Sequence, residues 1–436
     1  MTREPELDED GERDETSRVD DQASEQNQRV TTLELFFDLV FVFAIAQVTD
    51  LLSHDPTWTG LLRGLLVLCA LWWAWAGYAW LTNRLDPEEG GIRIAMFSGM
   101  AAMLVVSVAA PEAFGPDAFV FGIAYFVVRA LLLVLLTLAA RGDRSLFRSV
   151  LRTVPAGIIG PGMLVAASFL DGATQLVLWV AALLIDYLGV LVGDIGAWRI
   201  SPEHLVDRHR LVVIIALGES IFAIGLGAEG RAIDLSVILT IVLGVTVAAT
   251  LWWSYFDWVT LVAQAKLAES AGASRAALAR DAFSYLHLPM VAGIVLFAFA
   301  LKSTLENVDD PLAAIPALAL CGGIALYLLA HVAVRLRMGM GLGHGRPIAA
   351  LVTLALLPVV WRVPALLALS FIAAVCTILI GYEVVRHRAT RAFIRSRRGS
   401  FTLEETDRIE SARRGERSRR TRPEGRQRGA PRNDPE

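Results

Sequence analysis

The chain has 436 residues, 55% of them hydrophobic and 19% charged, with a formal net charge of −4. A water-soluble domain of this length carries more surface charge than that, so a soluble globular fold is excluded. Its charge is segregated: residues 1–30 hold eleven acids and four arginines, residues 386–436 hold sixteen arginines and eight acids, and long apolar runs lie between.

In chain order, residues 1–30 lack hydrophobic periodicity and read as a disordered acidic cytoplasmic tail. Apolar segments of about 20 residues, the length that crosses a bilayer, then follow. They fall at 33–53, 60–82, 92–111, 117–140, 147–170, 173–197, 205–227, 234–258, 281–303, 312–336, 346–362 and 364–386. The eleventh is the shortest, ending against Arg362 and Pro364. The first begins too late for a standard cleavable signal peptide and is expected to act as its own insertion signal. Runs such as LLLVLL and VVIIAL do not alternate, so the fold class is an all-α polytopic transmembrane bundle of about twelve helices. Residues 391–436 read as an Arg-rich, mostly disordered cytoplasmic tail suited to anionic lipid, with no nucleic-acid partner expected.

Loop charge sets the expected orientation. With the N-terminus inside, the cytoplasmic loops hold fifteen basic residues and the outer loops hold only Arg231, Lys302 and Arg362. The pattern predicts both termini in the cytoplasm.

Ionisable residues inside spans are costly, about 2.5–3.5 kcal/mol on insertion scales, and mark candidate sites. The first span carries Glu34 and Asp38, spaced i, i+4 on one face. Arg129 in the fourth span needs an acid, and Asp186, Asp38 and Glu219 are the candidates. Gly157, Pro161 and Gly162 are expected to kink or break the fifth. The sixth carries Asp186 and Asp194, with Gly189 and Gly193 as a surface for close helix approach. Glu219 lies in the seventh, and His287, a possible proton relay, precedes Pro289 in the ninth. Trp72, Trp73, Trp75, Trp80, Trp252, Trp253 and Trp258 are expected mainly in interfacial belts and packing.

The two halves resemble each other. Arg29, Phe37-Asp38 and Phe41 fall 181 residues before Arg210, Gly218-Glu219 and Phe222, and Trp72-Trp73 and Tyr78 fall 180 before Trp252-Trp253 and Trp258. Two six-helix repeats, 31–200 and 201–390, would share one membrane orientation and be related by an axis along the membrane normal. Asp38 and Glu219 are then expected at matched depth, facing each other, to bind a cation or share a proton. The structural reading of the same acids is that each only locks helix packing.

Cys69, Cys321 and Cys376 lie in apolar runs without a CxxC or Cys/His cluster, so neither a disulfide framework nor a zinc site is expected. No P-loop, GxSxG, HExxH or GxGxxG motif appears, so no cofactor is expected, and no enzyme activity.

The segment Leu33–Ala44 (LELFFDLVFVFA) resembles the opening signature of the bacterial low temperature requirement A (LtrA) family. Arg208-His209-Arg210 with Ile215–Ser220 (IALGES) resembles its second signature, and Ser284–Pro289 (SYLHLP) also fits. The resemblance covers roughly residues 29–390. It implies a multipass protein of the bacterial plasma membrane, linked by name to growth in the cold. Two functions stay open. One is an ion- or proton-coupled transporter or cation channel using Asp38, Glu219, Glu34, Asp186 and His287, with Arg129 in an ion pair. The other is a non-transporting protein that organises or senses lipid in cold adaptation. Oligomeric state is not legible.

Overall fold

The computed structural model describes residues 30–386. Both tails read as disordered, and the proposed contact of the Arg-rich tail with anionic lipid, lie outside the described residues. Among those residues the fold is all helical, with a lone bridge between Pro311 and Pro364.

The helices are α1 (Thr32–His54), α2 (Trp58–Thr82), α3 (Gly90–Ala109), α4 (Ala118–Ala139), α5 (Arg144–Ala167), α6 (Gly172–Gly189) and α7 (Pro202–Ala228). They continue as α8 (Leu235–Ser254), α9 (Thr260–Glu269), α10 (Gly272–Ala279), α11 (His287–Glu306), α12 (Ala314–Arg337), α13 (Gly345–Ala355), α14 (Leu357–Val360) and α15 (Ala365–Arg386). Two π-helical segments, Tyr255–Val259 and Arg280–Tyr285, join α8 to α9 and α10 to α11. Eleven of the resulting helical segments are long and apolar enough to cross a membrane.

Side chains at the helix starts explain where several begin. Thr31 caps α1: its hydroxyl accepts from Glu34 N at 3.3 Å while Glu34 Oε2 accepts from Thr31 N at 2.8 Å. Thr57, Asp143 and Asp234 cap α2, α5 and α8 by accepting backbone N–H groups of the first turn, without a return bond. Pro202 opens α7, where its missing N–H costs nothing.

Three expectations need correction. The eleventh segment is not one spanning helix but the pair α13 and α14, interrupted at Leu356, two residues before Pro358. Of the kink or break expected in the fifth helix, the break is absent: α5 runs continuously through Pro155 and Pro161, as membrane helices tolerate when neighbours surround the freed carbonyls. The sixth ends near Val192, so Asp194 is not helical; it caps the short turn Ile195–Ala197 by accepting from Gly196 N.

The centre of the bundle is α1, α2, α7 and α11. α11 packs on α12, α7 and α1, while α1 also meets α2, α3 and α7. Backbones touch where glycines allow it: a β-carbon on Gly293 of α11 would lie 2.5 Å from Gly323 O of α12. Outward faces present apolar side chains such as Leu39, Val108, Val177 and Ile378, which suit a hydrocarbon surround.

Candidate functional site

Two i, i+4 pairs meet on the seam between α1 and α7. His204 and Arg208 repeat on α7 the spacing of Glu34 and Asp38 on α1, and each residue meets its partner 170 positions away. A constant offset means that the two helices run parallel. Arg208 Nη1 and Nη2 donate to Asp38 Oδ2 and Oδ1 at 2.9 and 3.0 Å, the bidentate geometry that guanidinium and carboxylate favour. Arg208 Nε also lies 3.6 Å from Glu34 Oε1. Trp75 Nε1 donates to Asp38 Oδ1 at 2.9 Å. His204 Nε2 lies 3.0 Å from Glu34 Oε1. The Asn83 amide reaches His204 Nδ1, so Nε2 carries the hydrogen directed at Glu34. All four ionisable groups are buried.

Glu219 does not face Asp38. The 170 register sets it beside Thr49, eleven residues and about 16 Å further along α1 at 1.5 Å per residue. The 181-residue correspondence between halves therefore does not match residues of equal depth on this seam. The nearest charges to Glu219 are Lys302 and Asp50, themselves 3.4 Å apart. Neither Thr49 Oγ1 nor Glu219 Oε2 completes a hydrogen bond of good geometry among the described residues. Between the Asp38–Arg208 cluster and Glu219 the seam is filled by Phe41, Ile45, Val48, Val212 and Ala216, all buried.

Asp186 belongs to a third place. Arg129 Nη2 of α4 donates to Asp186 Oδ1 of α6 at 2.5 Å, and Tyr125 Oη lies 3.5 Å from Oδ2. Of the three acids that could have paired with Arg129, the bundle selects the one on its neighbour across α2 and α5. The pair borders a cavity of about 100 Å³, walled by Trp73, Trp80 and Trp198, with Ser149 and Thr153 of α5 on one side and Arg280 and Ser284 on the other. The cavity follows α5 from Gly157 toward its start and reaches the α6–α7 connection at Ile195 and Trp198. Two donors in its lining, Arg129 Nε and Trp73 Nε1, are buried without a hydrogen-bond partner among the described residues.

His287 begins α11, and both of its ring nitrogens are occupied. Nδ1 donates to Ala282 O at 2.7 Å and Nε2 accepts from Tyr255 Oη at 3.0 Å. Each π-helical segment supplies part of this cluster, Tyr255 from one and Phe283 from the other, and Phe283 stacks on His287 at 4.8 Å. The His209 ring lies 5.2 Å from that of His287 and 5.0 Å from Trp75, tying the cluster to the α1–α7 seam.

The candidate acids thus occupy three separate places. Arg208, His204 and Trp75 were absent from the expected site. Arg208 is one of the fifteen basic residues assigned to the cytoplasmic side; its i, i+4 spacing from His204, matching that of Glu34 and Asp38, is the signal that points to it. Trp72 and Trp75 are fully buried and hydrogen-bonded rather than interfacial, whereas Trp252 and Trp253 are exposed.

The three motif segments converge. Leu33–Ala44 supplies Glu34 and Asp38, the second supplies Arg208 and His209, and Ser284 of the third accepts the Trp72 and Trp80 indole N–H groups through its backbone oxygen and hydroxyl. No solved structure matches the chain. It is 32% identical over 315 residues to an uncharacterized protein of Rhizobium meliloti (strain 1021), spanning 68% of this chain and 74% of that one. The model of the family described as bacterial low temperature requirement A protein (LtrA) matches residues 29–381, the whole bundle that carries these clusters, and the chain belongs to that family.

Proposed function

We propose that the chain is a proton-coupled carrier of a small solute in the bacterial plasma membrane, with its solute site at the Arg129–Asp186 cavity. One observation carries the reading: this buried intramembrane ion pair borders open volume and has donors without a completed hydrogen bond beside it. The seam acids are a weaker choice. Asp38 is already neutralised by a bidentate guanidinium, and a carboxylate so paired is a poor cation ligand. The apolar plug between Asp38 and Glu219 favours a carrier over an open channel. A purely lipid-organising bundle needs no cavity beside a charged pair.

We further propose two parallel six-helix repeats with both termini in the cytoplasm. The distribution of basic residues supports the orientation. The parallel course of α1 and α7 supports the repeat, as does a recurring neighbour pattern: α1 on α3, α3 on α4 and α4 on α5, then α7 on α11, α11 on α12 and α12 on α13. The cavity then opens toward the cytoplasm.

Thr153→Cys tests the assignment. The native cysteines are buried or half-buried and give a low background. A membrane-impermeant thiol reagent is expected to modify Cys at this position in inside-out vesicles and not in right-side-out cells. In proteoliposomes containing a pH dye, the same modification is expected to block solute-dependent proton movement. Failure to react from the cytoplasmic face would overturn the assignment.

A further inference from the structure

We propose that the Arg129–Asp186 cavity binds a short-chain monocarboxylate together with one proton, the anion taking the place of Asp186 on the Arg129 guanidinium. This rests on the carrier reading and gives that site a substrate class.

The chemistry of the lining selects an anion. The charged side chains in the wall are Arg129, Arg280 and Asp186, an excess of one positive charge. Arg280 is bonded to Asp281 at 2.7 Å, and Asp281 also holds Arg337 at 2.8 Å, so the mouth as a whole stays positive. The groups without a completed hydrogen bond are donors: Arg129 Nε, and Trp73 Nε1, which is turned toward Asp186 without closing a hydrogen bond of good geometry; both offer N–H and no lone pair. A carboxylate, which only accepts, complements them; an ammonium does not. Trp80 Nε1 is already engaged by Ser284 Oγ at 2.8 Å and adds apolar wall rather than a donor.

Size and polarity narrow the class. A dry cavity of about 150 Å³ accommodates benzene. The smaller space here, about 100 Å³, fits a carboxylate of about two to four carbons. Leu132, Leu133 and the tryptophan faces would cover its alkyl part. A dicarboxylate would place a second charge against these apolar walls, at a cost that nothing in the lining offsets.

Charge balance supplies the proton. The resident pair is itself neutral and buried, whereas the excess positive charge sits on the part-exposed Arg280 and the exposed Arg337 at the mouth. An anion seated on Arg129 beside Asp186 therefore leaves one negative charge without a buried counter-charge unless a proton enters as well. Asp186 is the group placed to take it: protonated, it releases Arg129 to the incoming carboxylate and becomes a hydrogen-bond donor itself. No bond other than that O–H forms. The groups facing Asp186 are Arg129 and Tyr125 from α4, Trp73 from α2, Tyr187 on its own helix, and Tyr285 from the π-helical segment. Gly160 faces it from α5 and carries nothing titratable. Asp186 is the only carboxylate among these groups.

The test is equilibrium binding to the purified full chain in lipid nanodiscs. It is read by tryptophan fluorescence and by proton uptake in lightly buffered solution, with propionate, propylamine and propionamide as probes. Propionate is expected to bind with uptake of about one proton, and the two other probes at least tenfold more weakly. Asp186→Asn is expected to keep propionate binding within a few-fold, lose the proton uptake and flatten the pH dependence. Trp73→Phe, which keeps an aromatic wall but replaces the indole by a smaller ring without an N–H, is expected to weaken propionate several-fold. Equal binding of propylamine, propionate binding without proton uptake, or an unchanged stoichiometry in Asp186→Asn would overturn the inference. If propionate fails to bind while Cys at 153 reacts from the cytoplasmic face, the monocarboxylate assignment falls and the carrier reading stands. If that cysteine is unreactive, both fall.

Discussion

Removing Arg208 should destabilise the bundle far more than removing the charge of its partner. Arg208→Leu takes two hydrogen bonds of 2.9 and 3.0 Å from Asp38 and the 3.6 Å guanidinium contact from Glu34. Two carboxylates with relative exposures of 2% and 0% would then lack their shared cation. Breaking a buried pair in this way costs about 3–5 kcal/mol. Asp38→Asn is milder, about 1–2 kcal/mol, because the amide oxygen still accepts from Trp75 and Arg208, and Arg208 keeps Glu34. The double variant Asp38→Leu/Arg208→Leu leaves Glu34 with His204 and the Thr31 N–H, so it should recover at least about 2 kcal/mol relative to the sum of the single changes. Reversible unfolding in mixed micelles of mild detergent and dodecyl sulfate, followed by tryptophan fluorescence and circular dichroism, measures these three and the single Asp38→Leu that closes the cycle. If Arg208→Leu costs no more than Asp38→Asn, or the double change shows no recovery, the seam is not held by charge pairing.

Further outcomes test the helix packing and the cap at the start of α5. In Gly189→Val the new β-carbon would meet Ala156 Cβ at 2.1 Å, so α5 and α6 must separate and stability should fall by about 1–3 kcal/mol; Gly225→Ala, with no atom within 4 Å of the added carbon, should gain about 0.5–1 kcal/mol in the same unfolding assay. Asp143, at the α5 start, is held below the usual carboxylate range chiefly by the Leu146 backbone N–H, helped by the Ser145 N–H, Arg84 and Arg199. Its contribution is complete above the unfolded value near pH 4 and is lost as pH falls through the lower folded value, so melting of Asp143→Ala should decline less steeply below about pH 4 than that of the parent.

How much of this was legible follows from what each signal encodes. Apolar run length marked the spans within a few residues, because each helix must cover the hydrocarbon whatever its neighbours are. It overran at Asp194, where composition stays apolar but the helix ends, and at the eleventh segment, where Pro358 interrupts a run too short to cross. Rotation about a helix axis leaves no trace in run length. Arg129 thus had three candidate acids, and only packing selects Asp186. Arg208 was hidden for another reason. It stands at the start of the 205–227 run, where an arginine reads as a positive-inside charge, and only the packing of α7 turns it onto Asp38. The likeness of the two halves was read from residue types, whereas the register of α1 on α7 is set by their ion pairs. The 181 and 170 offsets differ for that reason, and Glu219 falls beside Thr49.

The locations of the charge pairs also constrain how a carrier of this design would move. A pair whose loss costs about 3–5 kcal/mol resists being opened in each cycle, so the α1–α7 seam is suited to be a fixed axis. Its plug of Phe41, Ile45 and Val48 and the indole clamp of Trp75 point the same way. On the other side of α2, the Arg129–Asp186 pair borders open space, and α6 meets α5 through Gly160 and Gly189, small contacts that let one helix slide along another. There a proton on Asp186 would weaken the pair without leaving a bare buried charge, because an arriving anion replaces it on the guanidinium. The mobile interface of the proposed carrier is therefore α5–α6 against α2 and α4. The histidine, arginine and carboxylates of the seam would keep the rest of the bundle in register while it moves.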